Sequence, residues 1–288
     1  MAPLFLLSLA AAAEPPALWY RQGLTVSAFP LGALSETRLQ ARIDGHRSDS
    51  IVFQSTYYGA GVRLDVSPAF VNPGVTLSLA PIDVFDVDLS AEMLGYLPGT
   101  FGLLPYEGLG SKLESVRDAR TDHVAALGWA LDANPTLKLQ VGPIIVLDLF
   151  AVSWLHITPP EGETAPLVYE PLRDMLVAWD DVYLENQPVV LYEVVHGKQG
   201  PMFAFGATWR DRFALVSQDR SAGLGAMVIA RPEETPGWPT FVLLVTEALI
   251  DQDRVGKEPF IALQANWIGE HRRAKPSPPE AAAPPERP

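Results

Sequence analysis

The chain has 288 residues, 34 of them acidic and 21 basic, for a formal charge of −13. That balance argues against nucleic acid as a partner, because neutralising phosphates takes clustered lysine and arginine. Cysteine is absent, which excludes disulfides, thiolate-bound zinc and a thiol nucleophile.

Leu4 to Ala13 is a short apolar run that closes on small residues and is broken by Glu14-Pro15-Pro16. This predicts a secretory signal peptide over residues 1–13. No later stretch reaches the run of about 18 apolar residues that a membrane helix needs. Residues 14–35 show no clean period and are assigned to an N-terminal segment.

From Glu36 onward the dominant signal is alternation, the mark of strands with one apolar and one polar face. Leu39, Ala41 and Ile43 alternate with Arg38, Gln40 and Arg42; Val62, Leu64 and Val66 alternate with Arg63, Asp65 and Ser67. Val75, Leu77 and Leu79 follow the turn Asn72-Pro73-Gly74. Phe85, Val87, Leu89 and Ala91 then alternate with Asp86, Asp88, Ser90 and Glu92. Carboxylates repeated along one side of a strand do not fit an ordinary dry core. Tyr96 to Thr121, rich in Gly and Pro, predicts a long functional loop that folds as a plug or lid. Strands resume with Leu127, Trp129 and Leu131, then Leu137, Leu139 and Val141 opposite Lys138 and Gln140. In the next segment Ile145, Leu147 and Leu149 face away from Asp148, which places Asp148 on the polar side. Thr158 to Pro171 predicts a second long loop. Val182 and Leu184, then Val190, Tyr192 and Val194, then Phe203, Phe205, Ala207 and Trp209 continue the pattern. The closing strand, Pro259 to Gly269, sets Ile261, Leu263, Ala265 and Trp267 against Ala262, Gln264 and Asn266, and needs a first strand to pair with. Residues 270–288, dominated by Pro, Ala and Glu, form a disordered tail.

About twelve such segments, aromatic rings near their ends (Trp129, Trp154, Trp209, Trp238, Trp267) and short turns between a few long loops predict an all-β protein. The expected architecture is an antiparallel up-and-down transmembrane β-barrel over residues 36–269. A secreted or periplasmic β-sandwich is the competing architecture, in which the polar faces would meet water outside two packed sheets. The stretch Ser67-Pro68-Ala69-Phe70 to Leu79, with Gly95-Tyr96 and Phe101-Gly102-Leu103, resembles the uncharacterised, porin-like members of the outer-membrane β-barrel proteins of Gram-negative bacteria. The resemblance implies an outer-membrane location, with lipid and the outer-membrane assembly machinery as partners.

The polar faces supply the candidate lumen: Arg38, Arg42, Arg63, Asp65, Asp86, Asp88, Glu92, Lys138 and Asp148. Their expected role is to line a water-filled or solute-binding interior, with Arg63 near the strand of Asp86 and Asp88 and an acidic balance favouring cations. Other chemistry is weaker. Asp86-Val87-Asp88 with Glu92 is too sparse for a metal site, and Asp251-Gln252-Asp253 with Gly256 lacks the later ligands of a calcium loop. Gly223-Leu224-Gly225 marks curvature or close packing rather than phosphate binding. His46, His123, His156, His196 and His271 are scattered. His46-x-Ser48 has the spacing of a serine activated by histidine, which keeps a lipid-modifying hydrolase as an alternative; no GxSxG, HExxH or GxxxxGK[ST] occurs. The expected function is a non-enzymatic, porin-like channel or solute-binding barrel without cofactor or metal.

Overall fold

The computed structural model describes residues 16–29, 31–44, 56–99, 102–109, 123–195, 202–232, 239–252 and 260–271. Twelve antiparallel strands close into a barrel. They are β1 (Ala17–Phe29), β2 (Leu31–Asp44), β3 (Tyr57–Val66), β4 (Phe70–Ile82), β5 (Phe85–Tyr96), β7 (Ala126–Val141), β8 (Ile144–Thr158), β11 (Asp180–Val195), β12 (Met202–Ala214), β13 (Arg220–Arg231), β14 (Phe241–Gln252) and β15 (Phe260–His271). Each pairs with its neighbour along the chain, and β15 closes on β1 from Leu18–His271 to Phe29–Ile261. Closure leaves no open sheet edge, a condition for any sheet that crosses lipid. The stretch 14–35 is therefore not a separate segment: β1 and the start of β2 lie within it.

Both ends of the barrel wall meet at one rim, here called proximal, where Leu18 faces His271. The connections from β5 to β7 and from β8 to β11 leave the opposite, distal rim. They carry three short strands, β6 (Leu104–Tyr106), β9 (Leu167–Glu170) and β10 (Met175–Ala178), which form a separate sheet in the order β10-β9-β6.

Alternation sorts the two surfaces. Val75 is 58% exposed and Leu139 56%, whereas their neighbours Thr76 and Lys138 are buried. An apolar surface of this extent would be a liability in water, but against acyl chains it faces its proper solvent. Aromatic rings mark both rims on the outside: Tyr20, Tyr58, Tyr192 and Trp267 toward the proximal rim, Trp129, Trp154 and Trp209 toward the distal one. Trp238 lies outside the described residues. Glycine allows close approach inside at several positions, Gly225 and Gly74 among them. A Cβ on Gly225 would run into the Thr246 carbonyl and the Glu247 side chain, beside a β-bulge at Ala222/Gly223. One on Gly74 would meet Glu92 Cγ at 2.7 Å.

The interior is filled unevenly. At the distal end Phe70, Leu94, Tyr96, Ala130, Leu155, Ile157 and Tyr183 of the wall pack against Leu103, Val168, Met175 and Val177 of the inner sheet and its approach. On the β8 to β14 side, nearer the proximal rim, Ile145, Val189, Leu191, Met202, Met227 and Val245 form a second apolar cluster with Leu147 and Leu149 against it. The remainder of the lumen is polar.

Candidate functional site

The polar wall is built by inward positions of β2 to β7. Arg38 and Arg63 stand opposite one another, flanked by the opposed pair Glu36 and Asp65. Arg38 Nε donates to Glu36 Oε1 at 2.7 Å and Arg38 Nη1 to Asp88 Oδ2 at 3.0 Å. Asp88 also accepts from Ser78 Oγ, which in turn accepts from Gln40 Nε2 at 2.8 Å. Arg63 Nε donates to Asp65 Oδ2 at 3.0 Å, and its Nη1 lies 2.7 Å from Glu92 Oε1 two strands away. Gly74 sits between Arg63 and Glu92 in the register, and its missing side chain opens the path that this ion pair spans. Lys138 pairs with Asp86, and Arg42 lies over the rings of Trp19 and Tyr57. The Asp88 side chain, inward and fourth in from the proximal end of β5, is 36% exposed, so water enters the lumen from the proximal rim to that depth. Asp65, further toward the distal rim, is fully buried.

Into the distal half projects the β9–β10 hairpin. Glu170 folds its own turn, accepting from the backbone N–H groups of Leu172 (3.1 Å) and Arg173 (2.7 Å), and receives the Tyr96 hydroxyl at 2.9 Å. Asp174 takes a positive φ of 51°, a conformation Asp tolerates, and accepts from Tyr169 OH at 2.6 Å. The tip then meets the wall. Arg173 Nη2 donates to Asp132 Oδ1 at 3.2 Å and to Ser153 Oγ at 3.3 Å, and Nη1 lies 3.5 Å from Glu170 Oε2. Burial disfavours the charge on Arg173, but the Glu170 and Asp132 carboxylates raise its pKa above the ordinary value and hold it charged. Asp132 is the seventh residue of β7 counted from its distal end, six steps in, so the tip reaches roughly 20 Å along the wall.

Beyond the tip a second set of charges continues on β11, β12 and β14. Arg212 Nη1 lies 3.6 Å from Asp174 Oδ2 and within hydrogen-bond reach of the Arg173 carbonyl at 3.5 Å. Its other nitrogens approach Glu185 and Glu247 at 3.7 Å, and Arg210 approaches the same two carboxylates at 3.4 Å. Asp219 and Asp181 fix the hairpin's outer end by accepting from the backbone N–H groups of Leu176 (3.0 Å) and Ala178 (2.9 Å). The hairpin is therefore held in the distal lumen by ion pairs and hydrogen bonds to the wall.

Of the nine candidate lumen residues, Arg38, Arg42, Arg63, Asp65, Asp86, Asp88, Glu92 and Lys138 occupy inward positions. Asp148 does not. It shares the outward side of β8 with Val146 and Phe150, and Leu147 and Leu149 turn in to join the apolar cluster. With both faces of this strand largely apolar, the lone carboxylate does not mark the inside. Arg63 does lie against the strand of Asp86 and Asp88: it reaches Glu92 of β5 besides its own neighbour Asp65, while Asp88 goes to Arg38 and Asp86 to Lys138. Sequence reading missed Glu36, Asp132, Glu170, Arg173, Asp174, Glu185, Arg210, Arg212 and Glu247. Glu185 and Arg210 stood on the polar side of alternating segments and were legible there. Glu170, Arg173 and Asp174 lie in a stretch that reads as a solvated loop.

Among the described residues no three His, Asp or Glu side chains group as a metal site. His46, Ser48, His196 and the Asp253–Gly256 turn lie outside the described residues, as do the stretches 1–15 and 272–288. His123 Nδ1 lies 2.8 Å from the Gly102 carbonyl, and His156 faces outward beside Asp180.

No protein-family model matches the sequence, and no curated protein does. Among solved structures the chain is similar to the β domain of the Bordetella autotransporter BrkA, at 9% identity and a TM-score of 0.40, covering 88% of this chain and 99% of that one. It is similar to an outer membrane channel from Pseudomonas putida F1 at 11% identity and TM-score 0.41, covering 88% and 94%. It is also similar to OmpT, an outer membrane protein of Vibrio cholerae, at 9% identity and TM-score 0.34, covering 88% and 98%. Those likenesses concern fold alone. The chain's own geometry, a closed antiparallel barrel with an apolar exterior and a polar lumen, is the architecture of outer-membrane β-barrel proteins.

Proposed function

We propose that this protein sits in the outer membrane of a Gram-negative bacterium as a gated, porin-like barrel. Its own hairpin shuts the lumen, and small solutes pass when the hairpin withdraws. The observation that carries this reading is the seat of Arg173: a charged hairpin tip held inside the lumen by the wall residues Asp132 and Ser153. The inward carboxylates Asp86, Asp88 and Glu92 favour cations over anions once water passes.

Planar-bilayer recording tests the proposal on the purified full chain and on a variant in which residues 166–178 are replaced by a short Gly-Ser linker. The wild type should be closed for most of the record, and the variant should conduct steadily with a cation-biased reversal potential. A wild type that is already permanently open, or a folded hairpin deletion that never conducts, would overturn gating by the hairpin. Membrane residence is checked separately, by fractionation and by the heat-dependent gel mobility of a closed barrel.

A further inference from the structure

On the outside of the distal rim one cluster is more elaborate than an aromatic belt requires. Its members come from three adjacent strands: His156 of β8 is the register partner of Trp129 on β7 and of Asp180 on β11, and Trp154 precedes it on the same outward side. The Trp129 and His156 rings stack with centroids 5.6 Å apart and planes at 29°. Trp129 and Trp154 meet edge to face at 4.8 Å and 79°. Two groups then orient one carboxylate. Trp154 Nε1 donates to Asp180 Oδ1 at 3.0 Å, and His156 Nδ1 lies 3.6 Å from Asp180 Oδ2. Trp154 remains 46% exposed, and the Asp180 side chain 63%.

An interfacial tryptophan with no role beyond anchoring has its N–H free for water or headgroups. Here the indole N–H is spent on holding a carboxylate at the edge of its own exposed ring. The result is one flat apolar platform with fixed hydrogen-bond acceptors beside it. The chemistry narrows the occupant. A phosphate would be repelled by Asp180, whose partners are an indole and an imidazole rather than lysine or arginine. An ammonium group is best held by several ring faces, and Trp129 is turned edge-on to Trp154 and covered by His156. A pyranose fits both features: its C–H face lies on the indole, and its hydroxyls donate to the carboxylate and meet the free imidazole nitrogen.

We propose that Trp154, His156 and Asp180 form a binding site for the sugar headgroup of a glycolipid in the leaflet at the distal rim. The site rests on the membrane reading, since only in a bilayer does this patch lie at headgroup level.

The test uses the full chain in phosphatidylcholine nanodiscs doped with equal small amounts of a monogalactosyl lipid, phosphatidylglycerol and phosphatidylethanolamine. Lipids retained by the protein are counted by native mass spectrometry. The galactolipid should be enriched over the others. Asp180→Asn and Trp154→Leu should each lower that enrichment about tenfold, the loss of a charge-assisted hydrogen bond or of the platform. Trp209→Leu, which removes another distal-rim indole, should leave it unchanged. No enrichment of galactolipid, enrichment of the ethanolamine or glycerol lipid instead, or an equal loss in all three variants would overturn the proposal. Failure of the wild type to enter nanodiscs as a heat-modifiable barrel would instead sink the membrane reading itself.

Discussion

Replacing Arg173 with methionine isolates the seat of the hairpin. The side chain keeps its bulk and loses its charge. In the closed state the side chain of Glu170 is fully buried and that of Asp132 is 8% exposed, so both carboxylates would stay in the lumen without their cation. Removing one member of a buried ion pair costs about 3–5 kcal/mol, most of it the penalty of the charge left behind. That cost falls on the closed state alone, because with the hairpin withdrawn both carboxylates meet water. The closed-to-open ratio should therefore fall by roughly two to nearly four orders of magnitude. Single-channel recording reads this as open probability, and unchanged heat-dependent mobility shows that the wall is intact. Adding Asp132→Asn to Arg173→Met should restore part of the closure, since one of the two orphaned charges is then gone. Wild-type open probability in Arg173→Met would refute the reasoning. So would a loss of whole-barrel stability without opening, which would mean that hairpin and wall form one unit.

Further predictions address the wall and the lumen. Leu89→Arg places a cation on the outward side of β5 and should impair membrane insertion by about 2–4 kcal/mol, whereas Ser90→Arg, inward beside Glu92 and Asp132, should be tolerated; equal yields of folded protein from both would show the faces to be misassigned. Gly225→Ala should lower the unfolding midpoint in detergent by an amount equivalent to about 1–3 kcal/mol, because its Cβ has no room against the Thr246 carbonyl; an unchanged midpoint would refute that packing. In the hairpin-deleted barrel, Asp86→Asn with Asp88→Asn should reduce cation preference in a salt gradient. Anion preference before the change, or no shift after it, would remove these residues from the conduction path.

Much of the wall was legible because lipid outside and charge inside impose a period of two that few other folds sustain. Phe85 to Glu92 shows it cleanly, and Ile261 to Trp267 shows the same division with a milder polar face. The first strand was missed for a specific reason. Gln22, Ser35 and Thr37 put polar side chains on the outer face, which blurs the alternation, and they satisfy one another there through hydrogen bonds of 2.8 and 2.6 Å. On β8 the apolar inner cluster erases the contrast between faces, and Asp148 then misleads. The long loop after Tyr96 was expected to act as a plug, and its segment Leu104–Tyr106 does join the inner sheet. Residues 110–121 of that loop lie outside the described residues; among the described residues, the tip that enters the lumen comes from the other long connection. Its strands span four residues each, too few for a pattern, and β9 is buried on both faces. Glu170 and Arg173 look solvated in sequence because nothing local reveals that Tyr96, Asp132 and Ser153 surround them.

Under the gating proposal, the two fillings of this interior have different roles. Apolar side chains line the β8 to β14 side, so the chain does use the more stabilising material elsewhere inside. The hairpin tip uses charge instead. Well-packed apolar residues often equal or surpass a buried ion pair in stability, so stability alone does not account for Arg173, Glu170 and Asp132. Charge differs in what happens on release. An apolar tip leaving its seat exposes greasy surface to a wet lumen and is driven back. A charged tip and a charged seat both regain hydration, which offsets the lost contact and keeps the open state within reach. Wall and tip are matched in this respect, because the proximal end of the lumen, where Asp88 already meets water, supplies the solvent into which the seat would open.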